Sequence, residues 1–160
     1  MSFWRSARAK WKGLFRLPAA ERWLFLESLA LLPLSALILN VGGLGSAQGT
    51  LSRFVRRRQG ITNSDGSLDE ARAVARSVDL AAVKGPWPAN CLQRSVVAWW
   101  LLQRRGLYAE LRIGVRREGP DPEFHAWVEH RGQVLNDTPD VGERYSAFDR
   151  TPPPRGARFD

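Results

Sequence analysis

The sequence predicts an α+β fold, in which a helix that carries the only cysteine packs against an antiparallel sheet, with a helical segment at the N-terminus. Two observations support this prediction. Helical signals fill the first two thirds of the chain, and alternating apolar and polar residues begin only near residue 111. The length of 160 residues, 44% hydrophobic and 25% charged, suits a globular domain and excludes collagen-like, disulfide-scaffold and wholly disordered classes.

The positive charge of the chain is concentrated in residues 1–60. This segment contains ten Lys or Arg residues against Glu21 and Glu27, whereas residues 61–160 carry fourteen basic and fourteen acidic residues. Any binding of acidic partners through bulk charge therefore belongs to the first segment. Four arginines between residues 53 and 58 could contact nucleic acid or lipid head groups, but no nucleic-acid-binding motif surrounds them. We expect a solvated helix face there and no nucleic-acid partner.

The apolar run from Trp23 to Leu39 has three interpretations. A transmembrane helix needs roughly 20 apolar residues, and here Glu27 and Pro33 interrupt the run. A signal peptide has a short basic region before its apolar core, whereas about twenty residues precede this one. We favour a helix or a bent helical pair in a small helical subdomain over membrane contact through residues 1–45. Four glycines between residues 42 and 49 then predict a turn or linker.

A capping box predicts where the next helix begins. Ser67 is followed three residues later by Glu70, so each side chain can satisfy a backbone N–H group of the first turn. Apolar residues then recur on one helical face, and Gly85 predicts that this helix ends near Lys84.

The central helix is predicted to begin after Asn90, a favourable N-cap, and to end near Arg105, before Gly106. Residues 96–102 are apolar on every side, which is typical of a helix buried at the centre of a domain. Cys91 is its first residue, where unpaired N–H groups and the helix dipole favour the nucleophilic thiolate. A small buried core residue is the alternative interpretation of a lone cysteine.

Cysteine and histidine usage restricts the compartment and the cofactors. A single cysteine excludes an internal disulfide and indicates a reducing compartment, so we expect a cytoplasmic protein, with membrane association as the alternative. Cys91, His125 and His130 cannot form a closed zinc site without carboxylates. We expect no metal and no other cofactor.

Strand patterns occupy the last third of the chain. Alternation predicts a strand at residues 111–116, and a polar loop follows it. A hairpin is predicted from strands at 123–129 and 133–137, joined by His130, Arg131 and Gly132, with His130 exposed at the loop tip. Three-residue hairpin loops place a left-handed glycine third, as here.

The hairpin register leads to the main functional hypothesis. A three-residue loop places His125 directly opposite Asp137, with Cβ atoms about 4.5–5.5 Å apart, whereas a two-residue loop would put them on opposite faces. A carboxylate beside an imidazole orients the ring, so Cys91, His125 and Asp137 form a predicted triad of nucleophile, general base and orienting group. Asp140 is the alternative candidate for the orienting carboxylate. The alternative interpretation of His125 is a histidine with a structural role. The Cys91 N–H group is a candidate oxyanion donor.

Several short motifs in the order of this triad resemble a known family. The chain is similar to the transglutaminase-like leader peptidases of lasso-peptide biosynthesis, the family of microcin-processing maturation proteases. The resemblance covers about residues 85–148. It rests on Cys-Leu-Gln-Arg-Ser at 91–95, Leu-Leu-Gln-Arg-Arg-Gly at 101–106, Ile-Gly-Val at 113–115, His-Ala-Trp-Val-Glu at 125–129 and Leu-Asn-Asp at 135–137.

The resemblance implies a domain organisation and an activity. It implies a papain/transglutaminase-like cysteine peptidase core at residues 61–150, preceded by a basic, apolar helical segment at 1–60 and followed by an irregular tail at 151–160. Cys91, His125 and Asp137 are then the catalytic residues, which remove a leader peptide through a thioester intermediate. A transglutaminase-like acyltransferase and a catalytically inactive scaffold of a maturation complex are the alternatives.

The resemblance also implies partners. Some family members carry an N-terminal winged-helix-like domain that recognises the leader, and residues 1–60 do not resemble one. The chain is therefore similar to the stand-alone peptidase of a split system. Such a peptidase acts on a precursor peptide, together with a separate leader-recognition protein and an ATP-dependent lasso cyclase.

Overall fold

The described part of the chain forms helices and one antiparallel sheet. A computed structural model describes residues 18–56, 67–116 and 121–148, without the side chains of residues 41–56. The sheet has the strand order β3-β2-β1-β4, so the predicted α+β class is confirmed. The elements in these ranges are α1 (Ala19–Arg56), α2 (Leu68–Lys84), α3 (Cys91–Arg104), β1 (Glu110–Arg116), β2 (Glu123–His130), β3 (Gln133–Val134), α4 (Val141–Arg144) and β4 (Ser146–Ala147).

Helix α1 is longer than the sequence predicts. It continues through Pro33 and through the four glycines between residues 42 and 49, so the predicted turn at these glycines is wrong. Glycine lowers helix propensity but is compatible with helical dihedral angles. Extending an existing helix adds one hydrogen bond for each residue fixed, whereas starting a new helix is costly.

One face of α1 packs against α2 and α3. Phe25 and Leu32 are buried in the core that these three helices share with β1 and β2. Glu27, which interrupts the apolar run in the sequence, accepts hydrogen bonds from Arg104 at 2.7 Å and Arg105 at 2.8 Å. This carboxylate therefore joins α1 to the C-terminal end of α3.

The same helix contains one segment that could cross a membrane by length and composition. Residues Ala19–Asn40 contain an 18-residue window with a mean hydropathy of 1.7. Because the core helix of a soluble protein can have the same properties, this finding leaves both soluble and membrane-associated forms open.

Helix α3 is central, as predicted. Its buried residues include Val97 and Leu101, and they pack in one core with Val74 of α2 and Val128 of β2. The N-cap half of the capping box predicted for α2 is also confirmed, because the Ser67 side chain accepts a hydrogen bond from the Glu70 N–H group.

The hairpin between β2 and β3 has a different register from the predicted one. His130 pairs with Gln133 and Glu129 with Val134, so the loop contains two residues, Arg131 and Gly132. Both have positive φ, 52° and 75°, as a type I′ turn requires. The three-residue loop was predicted because Gly132 stands third, where such a loop places a left-handed glycine. The observed two-residue loop also needs positive φ at Arg131, which is uncommon for a residue other than glycine.

This register also changes the position of His130. The residue ends β2 and is 3% exposed, so the predicted surface position is wrong. Its Nδ1–H group donates a hydrogen bond to the Tyr108 carbonyl oxygen at 2.5 Å, which holds the end of β2 against the start of β1.

Some sequence predictions lie outside the described residues. They concern the basic residues at positions 1–16, the arginines at 57 and 58, most of the polar loop after β1, and the tail at 151–160. Strand β4, which pairs with β1, was not predicted, because a two-residue strand carries no alternation signal.

Candidate active site

Cys91 is the first residue of α3, as predicted, and is partly exposed. The preceding Asn90 side chain accepts a hydrogen bond from the Gln93 N–H group at 2.9 Å, and Gln93 Oε1 accepts one from the Asn90 N–H group at 3.1 Å. The Asn90 cap was predicted from the sequence, whereas its partner Gln93 was not. Because this reciprocal cap uses the N–H groups of residues 90 and 93, those of Cys91 and Leu92 remain at the open end of the helix.

A buried hydroxyl anchors α3 to the sheet one turn after Cys91. Ser95 is fully buried, and its Oγ donates a hydrogen bond to the Ala126 carbonyl oxygen at 2.8 Å. Further along α3, Trp99 Nε1 donates to the carbonyl of Ala109, just before β1, at 3.1 Å. These two bonds orient α3 along the sheet from the middle of β2 towards its C-terminal end.

This anchoring places Cys91 at the level of His125. One helical turn rises about 5.4 Å, and one strand residue spans about 3.3 Å. Residues one turn apart lie on the same side of a helix. Cys91 therefore lies one to two strand residues before Ala126, at the start of β2.

His125 and Asp137 are in direct contact. His125 Nε2 lies 2.5 Å from Asp137 Oδ2. An ionised carboxylate only accepts hydrogen bonds, so Nε2 carries the hydrogen and Nδ1 has the lone pair that accepts a proton. The structure thus brings together two of the three residues that the sequence predicts to be catalytic.

The Asp137 carboxylate has further donors. Its Oδ1 accepts hydrogen bonds from the Thr138 N–H group at 2.7 Å and from Arg144 at 3.0 Å. Burial raises the pKa of Asp137, but the hydrogen bonds from His125 and Thr138 outweigh it, so the net shift is downwards. Asp137 is therefore ionised at neutral pH, as an orienting group must be.

The rival carboxylate lies elsewhere. Asp140 precedes α4 and forms an ion pair with Arg144 at 3.2 Å, and its side chain is 55% exposed. Of these two carboxylates, it is Asp137 that contacts the His125 imidazole.

Asn136 explains how Asp137 reaches His125 despite the unexpected register. The Leu135 N–H group donates to the Val128 carbonyl at 2.9 Å, as in a regular ladder. The Val128 N–H group, however, donates to the side-chain Oδ1 of Asn136 at 2.8 Å. Because a side chain replaces the strand backbone as acceptor, the chain leaves the sheet after Val134, and the alternation of a regular strand no longer applies to Asp137.

The same asparagine also contacts the cysteine-bearing helix. Asn136 Nδ2 donates a hydrogen bond to Ser95 Oγ at 2.9 Å. We call Ser95 and Asn136 the polar clamp, because they connect α3, β2 and the Asp137 segment. Sequence analysis missed both residues. The available signals were a serine inside an otherwise apolar helix, one turn after Cys91, and an asparagine next to the predicted carboxylate.

Two aromatic rings flank the His125 imidazole. Tyr145 is stacked on it with ring centroids 4.8 Å apart, and Trp127 lies at 6.3 Å. A Cβ atom on Gly114 would lie 3.0 Å from the Trp127 ring, so only glycine leaves room for it there. The Tyr145 hydroxyl donates to Glu123 at 2.7 Å, and this hydrogen bond, with burial, raises the pKa of Tyr145.

In the described structure, the Cys91 thiol has no hydrogen bond to the imidazole. Within residues 18–56, 67–116 and 121–148, the Cys91 thiol makes no hydrogen bond. Contacts between nucleophile and base are often longer in ligand-free structures. In the same ranges, no three His, Cys, Asp or Glu residues are grouped so that they could hold a metal ion.

The comparisons with known proteins agree with this architecture. A family model described as the transglutaminase-like superfamily matches residues 39–148, more than half of the chain, and includes Cys91, His125 and Asp137. No curated protein gives a significant match. No solved structure gives one either. With this match and its α+β fold, the chain belongs to the transglutaminase-like superfamily of cysteine peptidase- and acyltransferase-like domains.

Proposed function

We propose that this protein is a cysteine peptidase that removes the leader peptide from a lasso-peptide precursor. The observation that carries the enzymatic part is the 2.5 Å contact between His125 and Asp137, at the level of the Cys91 end of α3. The motifs at 91–95, 125–129 and 135–137 support the choice of substrate, through their similarity to lasso leader peptidases.

The first half of the reaction forms a thioester. His125 Nδ1 first takes the proton of the Cys91 thiol. The resulting thiolate attacks the carbonyl carbon at the leader–core junction, and the C=O electron pair moves to oxygen. The Cys91 N–H group, which the helix cap leaves open, donates to this oxyanion. When the oxyanion collapses, the C–N bond breaks and His125 gives its proton to the departing core amine.

The second half restores the enzyme. His125 Nδ1 removes a proton from water, whose oxygen attacks the thioester carbon. The C–S bond then breaks, which releases the leader as a carboxylic acid and Cys91 as thiolate. Asp137 holds the imidazole ring and offsets its positive charge in both halves.

The proposed partners follow from the same similarity. A separate leader-recognition protein presents the precursor, and an ATP-dependent cyclase closes the ring of the released core peptide. We propose that these steps occur in the cytoplasm.

The test is cleavage of a synthetic lasso precursor by the full chain, together with its leader-recognition partner and followed by mass spectrometry. We expect a single cut with the wild type and none with Cys91→Ala. Val83→Ala, an exposed change on α2, is the matched control and should cut normally. A Cys91→Ala variant that cuts as well as the wild type would reject the proposed nucleophile.

The assay also separates the two alternative functions. An added primary amine competes with water for the thioester in an acyltransferase, so the leader fragment would then carry the amine mass. A chain that binds the precursor without cutting it or transferring it to amine would be a scaffold. Either result would replace the peptidase proposal.

A further inference from the structure

Helix α1 exposes a line of apolar side chains on the side away from the core. Trp23 is 73% exposed and Leu37 60%, and Leu26 and Leu34 are close to half exposed. With Ala30, which is also exposed, these positions recur at intervals of three and four residues, so they share one side of the helix. We call Trp23, Leu26, Leu34 and Leu37 the apolar stripe.

The opposite side of α1 is fixed to the protein. Phe25 and Leu32 are 3% and 4% exposed in the core, and Glu27 is paired with Arg104 and Arg105. A membrane-spanning α1 would have to withdraw both apolar residues from this core and leave two arginines without their carboxylate. The structure therefore favours a helix that lies along a surface over one that crosses a bilayer.

The charge pattern around the stripe identifies the surface. Residues 1–16 contain five Lys or Arg and no acidic residue, interleaved with Phe3, Trp4, Trp11 and Phe15. Four further arginines stand between residues 53 and 58, where α1 ends. An apolar helix face with tryptophan at one end and with basic segments before and after it in the sequence is typical of binding in the head-group region of an anionic bilayer.

A second copy of the chain matches this pattern less well. Two stripes in contact would bring like-charged flanking segments together, whereas anionic lipid neutralises them. We infer that the apolar stripe of α1 docks in the plane of an anionic membrane surface while the rest of the domain remains in water. This inference goes beyond the proposed peptidase function and does not depend on it.

Vesicle binding of the full chain tests the inference. We expect sedimentation with vesicles of equal parts phosphatidylcholine and phosphatidylglycerol, at least about tenfold stronger than with phosphatidylcholine alone, and weaker at high salt. Leu37→Glu and Trp23→Glu should each weaken this binding by about tenfold or more, because they place a carboxylate in the docked face. Val83→Glu, which adds the same charge at a 76% exposed position on α2, is the control and should bind like the wild type.

Three results would overturn the inference. If the protein bound neither vesicle type, the apolar stripe would not be a membrane-binding surface. A dimer that Leu37→Glu dissociates, without vesicle binding, would assign the stripe to a second copy. Bound protein that alkaline carbonate does not release would indicate a spanning helix. The sites of Leu37 and Trp23 are highly exposed, so circular dichroism should show an unchanged fold in both variants.

Discussion

Strand β2 carries the only two histidines of the chain, and its two ends use them differently. His125 near the start has a side chain 19% exposed and is bonded to the carboxylate of Asp137. His130 at the end is 3% exposed and bonded to the carbonyl of Tyr108. A carboxylate can offset the charge of a ring that accepts a proton, whereas a neutral carbonyl cannot to the same degree.

This difference shows that the partner and the exposure of a histidine, more than its presence on a strand, decide what it can do. His125 has a solvent-accessible ring with Nδ1 left to accept a proton. The other ring nitrogen of His130, Nε2, is buried and has no hydrogen-bond partner among the described residues. We therefore expect His125 to act in chemistry and His130 to act in folding.

Exchange of each histidine for glutamine gives the largest expected contrast. His125→Gln should lower the rate of precursor cleavage by about 10²–10⁴-fold, the usual contribution of a general acid–base. His130→Gln should leave the cleavage rate unchanged but lower the free energy of unfolding by about 1–3 kcal/mol, because a buried hydrogen bond is disturbed. Cleavage kinetics and urea unfolding of both variants measure these effects.

The reverse result would break the comparison. If His130→Gln abolished cleavage in a folded protein while His125→Gln did not, the start of β2 would not be the active site. Equal losses in both variants would mean that the strand acts as one structural unit.

The two carboxylates after β3 give the next largest contrast. Asp137→Asn should lower cleavage by up to about 10⁴-fold, because an amide no longer fixes the ring tautomer and its charge. Asp140→Asn, at an exposed position paired with Arg144 and Thr138, should have little effect on cleavage. A stronger effect at Asp140 would transfer the orienting role to that residue.

Asp137 also determines an acid limit of stability. Its pKa in the folded state is lowered, so its contribution is present above the pKa of the unfolded state and is lost as pH falls through the folded value. The difference in melting temperature between wild type and Asp137→Asn should therefore be full at neutral pH and shrink as the pH falls below about 4. A difference that grows towards acid pH would contradict this assignment.

Local sequence signals were sufficient for α2 and α3, and they identified the histidine and the carboxylate that are in contact at the site. The Asn90 cap and Gly106 place α3 to within a residue, because caps and terminators act over a few residues. They were not sufficient for the hairpin, where Arg131 adopts positive φ. The continuous α1 also depends on helix propagation through glycines that a local rule treats as a break.

The contact between His125 and Asp137 was correctly predicted from an incorrect register. The prediction assumed that the backbone alone sets which residues face each other. In the structure, the Asn136 side chain takes the place of a backbone acceptor for Val128. No rule based on residue spacing predicts that a side chain will replace a backbone acceptor. The position of the Asn136 side chain depends on Ser95, which is forty-one positions away in the chain.

The polar clamp should therefore have a measurable effect on catalysis, smaller than those of the residues it positions. Asn136→Ala removes the acceptor of the Val128 N–H group and the donor to Ser95, so we expect about 1–3 kcal/mol lower unfolding free energy. We also expect a roughly tenfold lower kcat for cleavage at an unchanged KM, because Asp137 and α3 lose their common support. Gln133→Ala, which removes another amide of the same hairpin, is the matched control.

A double-mutant cycle separates positioning from general stability. Ser95→Ala combined with Asn136→Ala should show a coupling energy of about 0.5–3 kcal/mol, because the two side chains are hydrogen-bonded. The kcat of each variant is measured well below its melting temperature, where the variant is folded. If the clamp had only a structural role, kcat would then be unchanged. If Gln133→Ala lowered kcat as much as Asn136→Ala, the clamp would have no special part in holding Asp137 to His125. If Asn136→Ala lowered kcat and Gln133→Ala did not, the Asn136 side chain, which interrupts the strand pairing, would also be the group that holds Asp137 against His125.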